Sequence, residues 1–157
     1  MEDMITLNIT ALTRLAYAVA PGFVARGAGT VINISSIVAI APEILNGVYG
    51  GTKAFVLGLS QSMHRELADK GVRIQAVLPG ATATDFWSEA GNPVENLPQE
   101  IVMSAEDMVD AALVGLEQGE VVTLPGLHDG EQWDRYEAQR QVLSGLFGNS
   151  TPAARYR

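Results

Sequence analysis

Three side chains in this sequence have the types and the order for proton-transfer chemistry: Ser36, Tyr49 and Lys53. Tyr49 and Lys53 are four residues apart, so on a helix they share one face and the ammonium can sit beside the phenol. A phenol whose pKa lies near 10 is a poor general acid or base at neutral pH. Lowering it by about three units needs roughly 4 kcal/mol of preferential phenolate stabilisation. A neighbouring cation supplies part of that, and the positive end of a helix another part. Ser36 could then hold a substrate oxygen by a hydrogen bond while Tyr49 gives or takes its proton. A redox step on that oxygen's carbon would need a cofactor, because no side chain carries a hydride. Taken singly, each residue is ordinary: a serine that ends a strand is commonly a turn residue.

The elements that must position these three are legible from periodicity. Leu7, Leu12, Leu15, Ala16, Val19 and Phe23 recur at helical spacing and predict a helix over Met4–Ala25 that loosens at Pro21. Gly27-Ala28-Gly29 breaks it, and the largely apolar, β-branched run Thr30–Ser36 predicts a strand buried on both faces of a parallel sheet. After a loop containing Pro42 and Asn46-Gly47, a second helix is expected from Tyr49 to Asp69, closed at Lys70-Gly71. Val72–Leu78 reads as a second strand ended by Pro79-Gly80. Residues 81–103, rich in Gly, Pro, Asn and Glu, read as a long loop with at most a short helix. Ser104-Ala105-Glu106-Asp107 has the capping-box form ahead of a helix through Leu116, Val121–Leu124 is a short third strand, and a charged helix spans Glu131–Leu146. Strands that alternate with helices predict an α/β fold, a parallel sheet with helices on both faces. In such sheets ligands bind at the carboxyl ends of the strands, where this order delivers Ser36, Tyr49 and Lys53.

Composition excludes several other classes. The chain has 157 residues, 47% of them hydrophobic and 18% charged, which suits one globular domain rather than a disordered segment. A formal charge of −8 argues against binding nucleic acid, which needs a concentrated basic face. There is no cysteine, and His64 and His128 stand far apart without carboxylates at ligand spacing, so no metal site is expected. The N-terminus opens Met-Glu-Asp-Met, with acid where a signal peptide would carry basic residues, and no apolar run is expected to approach the ~18 residues that cross a bilayer. A cytoplasmic protein with no membrane partner is the expectation.

Three ordered motifs together carry more than their parts. Asn33-Ile34-Ser35-Ser36, then Tyr49-Gly50-Gly51-Thr52-Lys53, then Val77-Leu78-Pro79-Gly80-Ala81-Thr82-Ala83-Thr84 closely resemble the motifs of the short-chain dehydrogenase/reductase family. The resemblance runs from Glu2 to about Leu124. It implies a partial Rossmann-like, doubly wound sheet and hydride transfer between NAD or NADP and a small-molecule ketone, aldehyde or secondary alcohol. Within it Tyr49 would be the general acid/base, Ser36 would hold the substrate oxygen, and Lys53 would lower the Tyr49 pKa. Ser36 rather than Ser35 has the family's distance to the tyrosine. Asn8, in Leu7-Asn8-Ile9-Thr10, aligns with the helix asparagine that family members use in a proton relay through the lysine. The same resemblance implies cofactor contacts from Tyr49, Lys53, Pro79, Gly80, Thr82 and Thr84. It also makes residues 85–103 a substrate lid with Phe86 and Trp87 as pocket walls beside Ser36.

The resemblance also implies what this sequence lacks. Family members seat the pyrophosphate on a glycine-rich turn after their first strand, and no Gly-x-Gly-x-x-Gly or Gly-x-x-x-Gly-x-Gly segment occurs here. The expectation is therefore the C-terminal, catalytic part of one domain over residues 1–147, truncated at its N-terminus and followed by a frayed tail at 148–157. The cofactor site would be incomplete, and the chain alone inactive. A homodimer is expected, because the helices around Met4–Ala25 and Tyr49–Asp69 form the family's common dimer interface. The alternative is a non-catalytic remnant that acts as a dimerisation or interaction module.

Overall fold

A computed structural model describes residues 1–45 and 47–157, so the Asn46 part of the expected loop lies outside the described residues. The chain divides into two compact units, Met1–Gly126 and Leu127–Arg157.

The first unit opens with helix α1, Glu2–Arg26. Its α-helical turns are interrupted over Thr6–Ala11 by a π-helical segment, which the sequence pattern does not announce. The expected loosening at Pro21 does not occur: the helix runs through it to Arg26 and ends at Gly27, whose φ of 64° is left-handed. Pro21 lacks one backbone donor, and the packing of Phe23 and Val24 against the core holds the last turn regardless. Strand β1 is Gly29–Ile34, helix α2 is Gly47–Leu67, and strand β2 is Val72–Val77. A 3-10 turn at Ala68–Lys70 and Gly71 at φ 77° join α2 to β2, the closure the Lys70-Gly71 pair predicts. Beyond β2 come the two-residue strand β3, Thr82–Ala83, helix α3, Phe86–Glu89, and strand β4, Met103–Ser104. Helix α4, Ala105–Glu117, and strand β5, Val122–Thr123, complete the unit. Ser104 caps α4 as expected, its Oγ accepting from the Asp107 amide at 3.0 Å.

The main sheet is parallel, with strand order β1-β2-β5. Alternate β2 residues face opposite layers. Ile74 joins Val31, Val72, Ala16 and Met63 in a core built with α1 and α2. Gln75 points the other way and donates to the Ala112 carbonyl of α4 at 2.8 Å. Helices therefore cover both faces of β2, and the fold is α/β as the strand and helix order predicts.

Strand β1 departs from expectation. It alternates rather than being buried on both faces: Val31 and Asn33 are buried, while Ile32 and Ile34 are 38% and 44% exposed. The reason is reach, since α4 packs over β2 and β5 and leaves the corresponding face of β1 uncovered. The Ser35 amide donates to the Val77 carbonyl, so Val31, Asn33 and Ser35 turn their backbone groups toward β2. By alternation, Thr30, Ile32 and Ile34 turn theirs to an edge that no described strand pairs. A groove of about 550 Å³ runs along that edge between β1 and the Leu7, Leu15 and Val19 side of α1.

The first helix also overturns the expectation that no apolar run approaches span length. Glu2–Arg26 is long and apolar enough, by length and composition, to cross a membrane. Small and apolar residues lie all round it, as the exposure of Leu7, Leu15, Tyr17 and Val19 shows. Ala16 and Ala20 are nonetheless buried, and Ala16 belongs to the core over β1 and β2, so this helix serves as a packing layer in the fold.

The second unit contains helix α5, Gly130–Ser144, slightly shorter than predicted. None of its residues is buried, and its local order comes from a Trp133–Tyr136 stack at 5.3 Å and the Arg140–Glu137 and Arg135–Glu131 pairs.

Candidate active site

Ser36, Tyr49, Lys53 and Asn8 converge at the carboxyl end of β1. Ser36 follows the strand in extended conformation and caps the 3-10 turn Ile37–Ala39, its Oγ accepting from the Val38 amide at 3.3 Å. It is 8% exposed, and its hydroxyl lies near enough to the Tyr49 phenol to lower that phenol's pKa. Ser35 plays a different part. Its Oγ donates to the Lys53 backbone carbonyl at 2.7 Å and pins α2 to the end of β1. Ser36, not Ser35, is the serine that acts on the phenol's pKa.

Lys53 places its ammonium 5.6 Å from the centre of the Tyr49 ring, as the four-residue interval requires. The ammonium also donates to the Ile34 carbonyl at 3.1 Å, one of the acceptors on the open edge of β1. Burial pushes Tyr49 above its ordinary 10.0, and the Ser36 hydroxyl offsets this in part. Burial also pushes Lys53 below its ordinary 10.5. The expected lowering of the Tyr49 pKa by Lys53 is therefore not the net direction in this state of the protein. The phenol is desolvated, and the ammonium is engaged by a backbone oxygen.

Replacing Ser36 by Ala removes the contact that lowers the phenol's pKa, so the Tyr49 midpoint should move further above 10.0. Tyrosine ring-carbon NMR across an alkaline titration reads this directly, and an unmoved midpoint would show that the hydroxyl does not meet the phenol in solution.

Two further features border the site. The turn after β2 is held to the Ser36 segment by the Ile37 amide, which donates to the Pro79 carbonyl at 3.1 Å. In the same turn the Thr82 hydroxyl donates to the Gly80 carbonyl at 3.2 Å. The backbone from Thr82 is tied at the base of the 81–103 segment by pairing of β3 with β4, where a loop is expected from the sequence. Two-residue strands carry too little pattern to be seen in sequence. On this segment Phe86 approaches the Tyr49 ring at 6.1 Å, Trp87 meets Phe86 edge-on at 5.6 Å, and the indole donates to the Thr82 carbonyl at 2.9 Å. Phe86 is thus the aromatic next to the phenol, with Trp87 behind it. Thr84 lies in the same turn, its carbonyl accepting from the Trp87 amide at 3.5 Å.

Sequence reasoning passes over Thr52. It is 2% exposed, its hydroxyl donates to the Tyr49 carbonyl at 2.8 Å, and it accepts from Asn8 Nδ2 at 3.1 Å. The signal is present nonetheless: a hydroxyl three residues after Tyr49, on the buried side of the same helix, needs a partner. Among the described residues no group of three or more His, Asp or Glu could hold a metal ion.

The short chain dehydrogenase family profile matches residues 1–95, the span that carries all four of these side chains. The chain belongs to the short-chain dehydrogenase family. It is similar to a very-long-chain 3-oxoacyl-CoA reductase of Rattus norvegicus, 36% identical over 119 residues, covering 74% of this chain and 36% of the relative. Among solved structures it is similar to a short-chain dehydrogenase from Sphingobium yanoikuyae in complex with NADPH. That match has a TM-score of 0.92 and 51% identity over 98% of this chain and 59% of the other. A bulky-bulky ketone specific alcohol dehydrogenase from Comamonas testosteroni matches with a TM-score of 0.84 and 44% identity, over 97% of this chain and 56% of the other. The chain thus spans about a third of the curated reductase and somewhat over half of these solved short-chain dehydrogenases.

Proposed function

We propose that this short-chain dehydrogenase chain supplies the catalytic side of an NAD(P)-dependent interconversion of a ketone or aldehyde and an alcohol. The carrying observation is the Tyr49 phenol, flanked by the Lys53 ammonium at 5.6 Å and with the Ser36 hydroxyl acting on it, at the carboxyl ends of parallel strands. In this reading Ser36 orients the substrate oxygen and Tyr49 passes it a proton. Asn8 belongs to the proton path on the far side of Lys53.

The residues present fit the nicotinamide and ribose end of the cofactor. Lys53 is a cation that rests on a strand-edge carbonyl, and the turn Pro79–Thr84, held to the Ser36 segment through Ile37, offers backbone and hydroxyl groups. Tyr49, Lys53, Pro79, Gly80, Thr82 and Thr84 would hold that end. The bound cofactor supplies the hydride. A cation released from Ile34 to lie by the phenol would bring the Tyr49 pKa down, reversing the direction burial imposes. The pyrophosphate end finds no glycine-rich turn in this sequence, so binding by this chain alone should be weak. Phe86 beside the phenol, backed by Trp87, favours a bulky apolar substituent on the carbonyl carbon, in line with the ketone specificity named for the Comamonas relative.

A second reading, a non-catalytic module that self-associates, draws support from the open β1 edge, its adjoining groove and the engagement of Lys53 at Ile34. One titration separates the two. NADPH added to the Trp133→Phe variant, in which Trp87 is the remaining indole, should quench fluorescence saturably if the nicotinamide end binds beside Thr82. No quenching at millimolar NADPH or NADH, with mass rising with concentration in ultracentrifugation, would favour the module.

A further inference from the structure

We propose that Thr52 is a positioning residue of this site, the tie that holds the π-helical turn of α1 in register with Tyr49 and Lys53 on α2. The geometry stands by itself; only its consequence for chemistry rests on the function proposed above.

Asn8 and Thr52 are 44 residues apart in sequence, and their side chains meet at 3.1 Å. Asn8 lies inside the Thr6–Ala11 π segment, a departure from α geometry of a kind frequent at functional sites. Thr52 receives the Asn8 carboxamide and passes its own proton to the Tyr49 carbonyl at 2.8 Å. Both the donor and an acceptor position of its hydroxyl are therefore used, on a residue that is 2% exposed. A threonine restricts its own χ1, so the hydroxyl is aimed rather than merely present. One residue later, Ser35 Oγ holds the Lys53 carbonyl at 2.7 Å. The backbones of the two residues proposed to handle the proton are each clamped by a hydroxyl, Tyr49 by Thr52 and Lys53 by Ser35. Of these two clamps, the one at Thr52 extends to α1. Proton and hydride chemistry is sensitive to displacements of about 1 Å, so a tie of this kind sets how constantly Asn8 faces the Tyr49–Lys53 pair.

The test uses the chain itself and needs no turnover. Thr52→Val keeps shape and volume but removes the hydroxyl. It should speed hydrogen exchange of the Asn8 carboxamide and of the amides of the π segment by about tenfold or more, about 1.4 kcal/mol of lost protection. Loosening the first turns of α2 weakens both influences on Tyr49. Burial is the larger, so the Tyr49 midpoint should fall toward 10.0. Thr52→Ser, which keeps the hydroxyl, should restore both readings. Asn8→Ala attacks the tie from its other end and should speed exchange of the same π-segment amides should Thr52→Val fail to fold. Wild-type exchange in Thr52→Val would overturn the proposal, as would wild-type π-segment exchange in Asn8→Ala. Failure of Thr52→Ser to restore the readings would also overturn it, since the methyl rather than the hydroxyl would then be responsible. Absence of any NADPH response in the chain joined to the part of the Sphingobium yanoikuyae dehydrogenase it does not span sinks the proposed function and leaves these readings intact.

Discussion

Tyr49→Phe should lower turnover by about 10²–10⁴-fold, the range general acid–base catalysis supplies. NADPH affinity should stay within a fewfold. The ring that packs against Phe86 and beside the Lys53 ammonium remains, and only the hydroxyl that Ser36 contacts is lost. The suitable vehicle is a chimera that joins this chain to the part of the Sphingobium yanoikuyae dehydrogenase it does not span, since 98% of this chain already superposes there with a TM-score of 0.92. The measurement is NADPH-dependent reduction of a bulky aromatic ketone. A Tyr49→Phe chimera within threefold of the parent rate would remove Tyr49 from the proton step. A parent chimera that binds NADPH but reduces nothing would favour the non-catalytic reading instead.

The second large effect is on stability. Gly71→Ala should destabilise the first unit by about 2–4 kcal/mol, from roughly 1 kcal/mol or more for a side chain at left-handed φ and a further 1–3 for forced displacement. Gly71 has φ 77°, and a Cβ built there overlaps the carbonyl oxygen of Gly27, itself left-handed at φ 64°. The two glycines close α2 and α1 respectively, and their close approach starts β1 and β2 side by side, with Gly29 opposite Val72. A bulkier residue must push the strand starts apart. Gly58→Ala is the contrast, because Gly58 lies inside α2 with nothing near its would-be Cβ. It should be neutral or stabilising by about 0.5–1 kcal/mol. Thermal unfolding followed by circular dichroism compares the pair, and equal midpoints would show that the Gly27–Gly71 approach is not tight in solution.

Most of the order of elements is readable in the sequence because it follows local rules. The Lys70-Gly71 closure, the Ser104 cap and the Tyr49–Lys53 face depend on residues within a turn of one another. Expectation and structure part where a distant partner decides. Pro21 reads as a weak point, yet packing of the residues after it keeps α1 helical to Arg26. The run Thr30–Ser36 reads as a strand buried twice over, yet α4 does not extend across Ile32 and Ile34. The β3–β4 pairing and the π segment leave no periodic trace at all, being two residues and one turn long.

From residue types and intervals follow the α/β class and the parallel arrangement, and the resemblance of three ordered motifs to a family pattern singles out Ser36, Tyr49 and Lys53 as candidates. Hydrophobic period, turn residues and a four-residue interval are one-dimensional signals. Electrostatic state and partnership are decided by the folded chain. Burial raises Tyr49, the Lys53 ammonium rests on the Ile34 carbonyl, and Asn8 reaches Tyr49 through Thr52. Desolvation and hydrogen bonding depend on which atoms stand within about 3 Å once segments 20 to 50 residues apart have packed, and no local pattern encodes that distance.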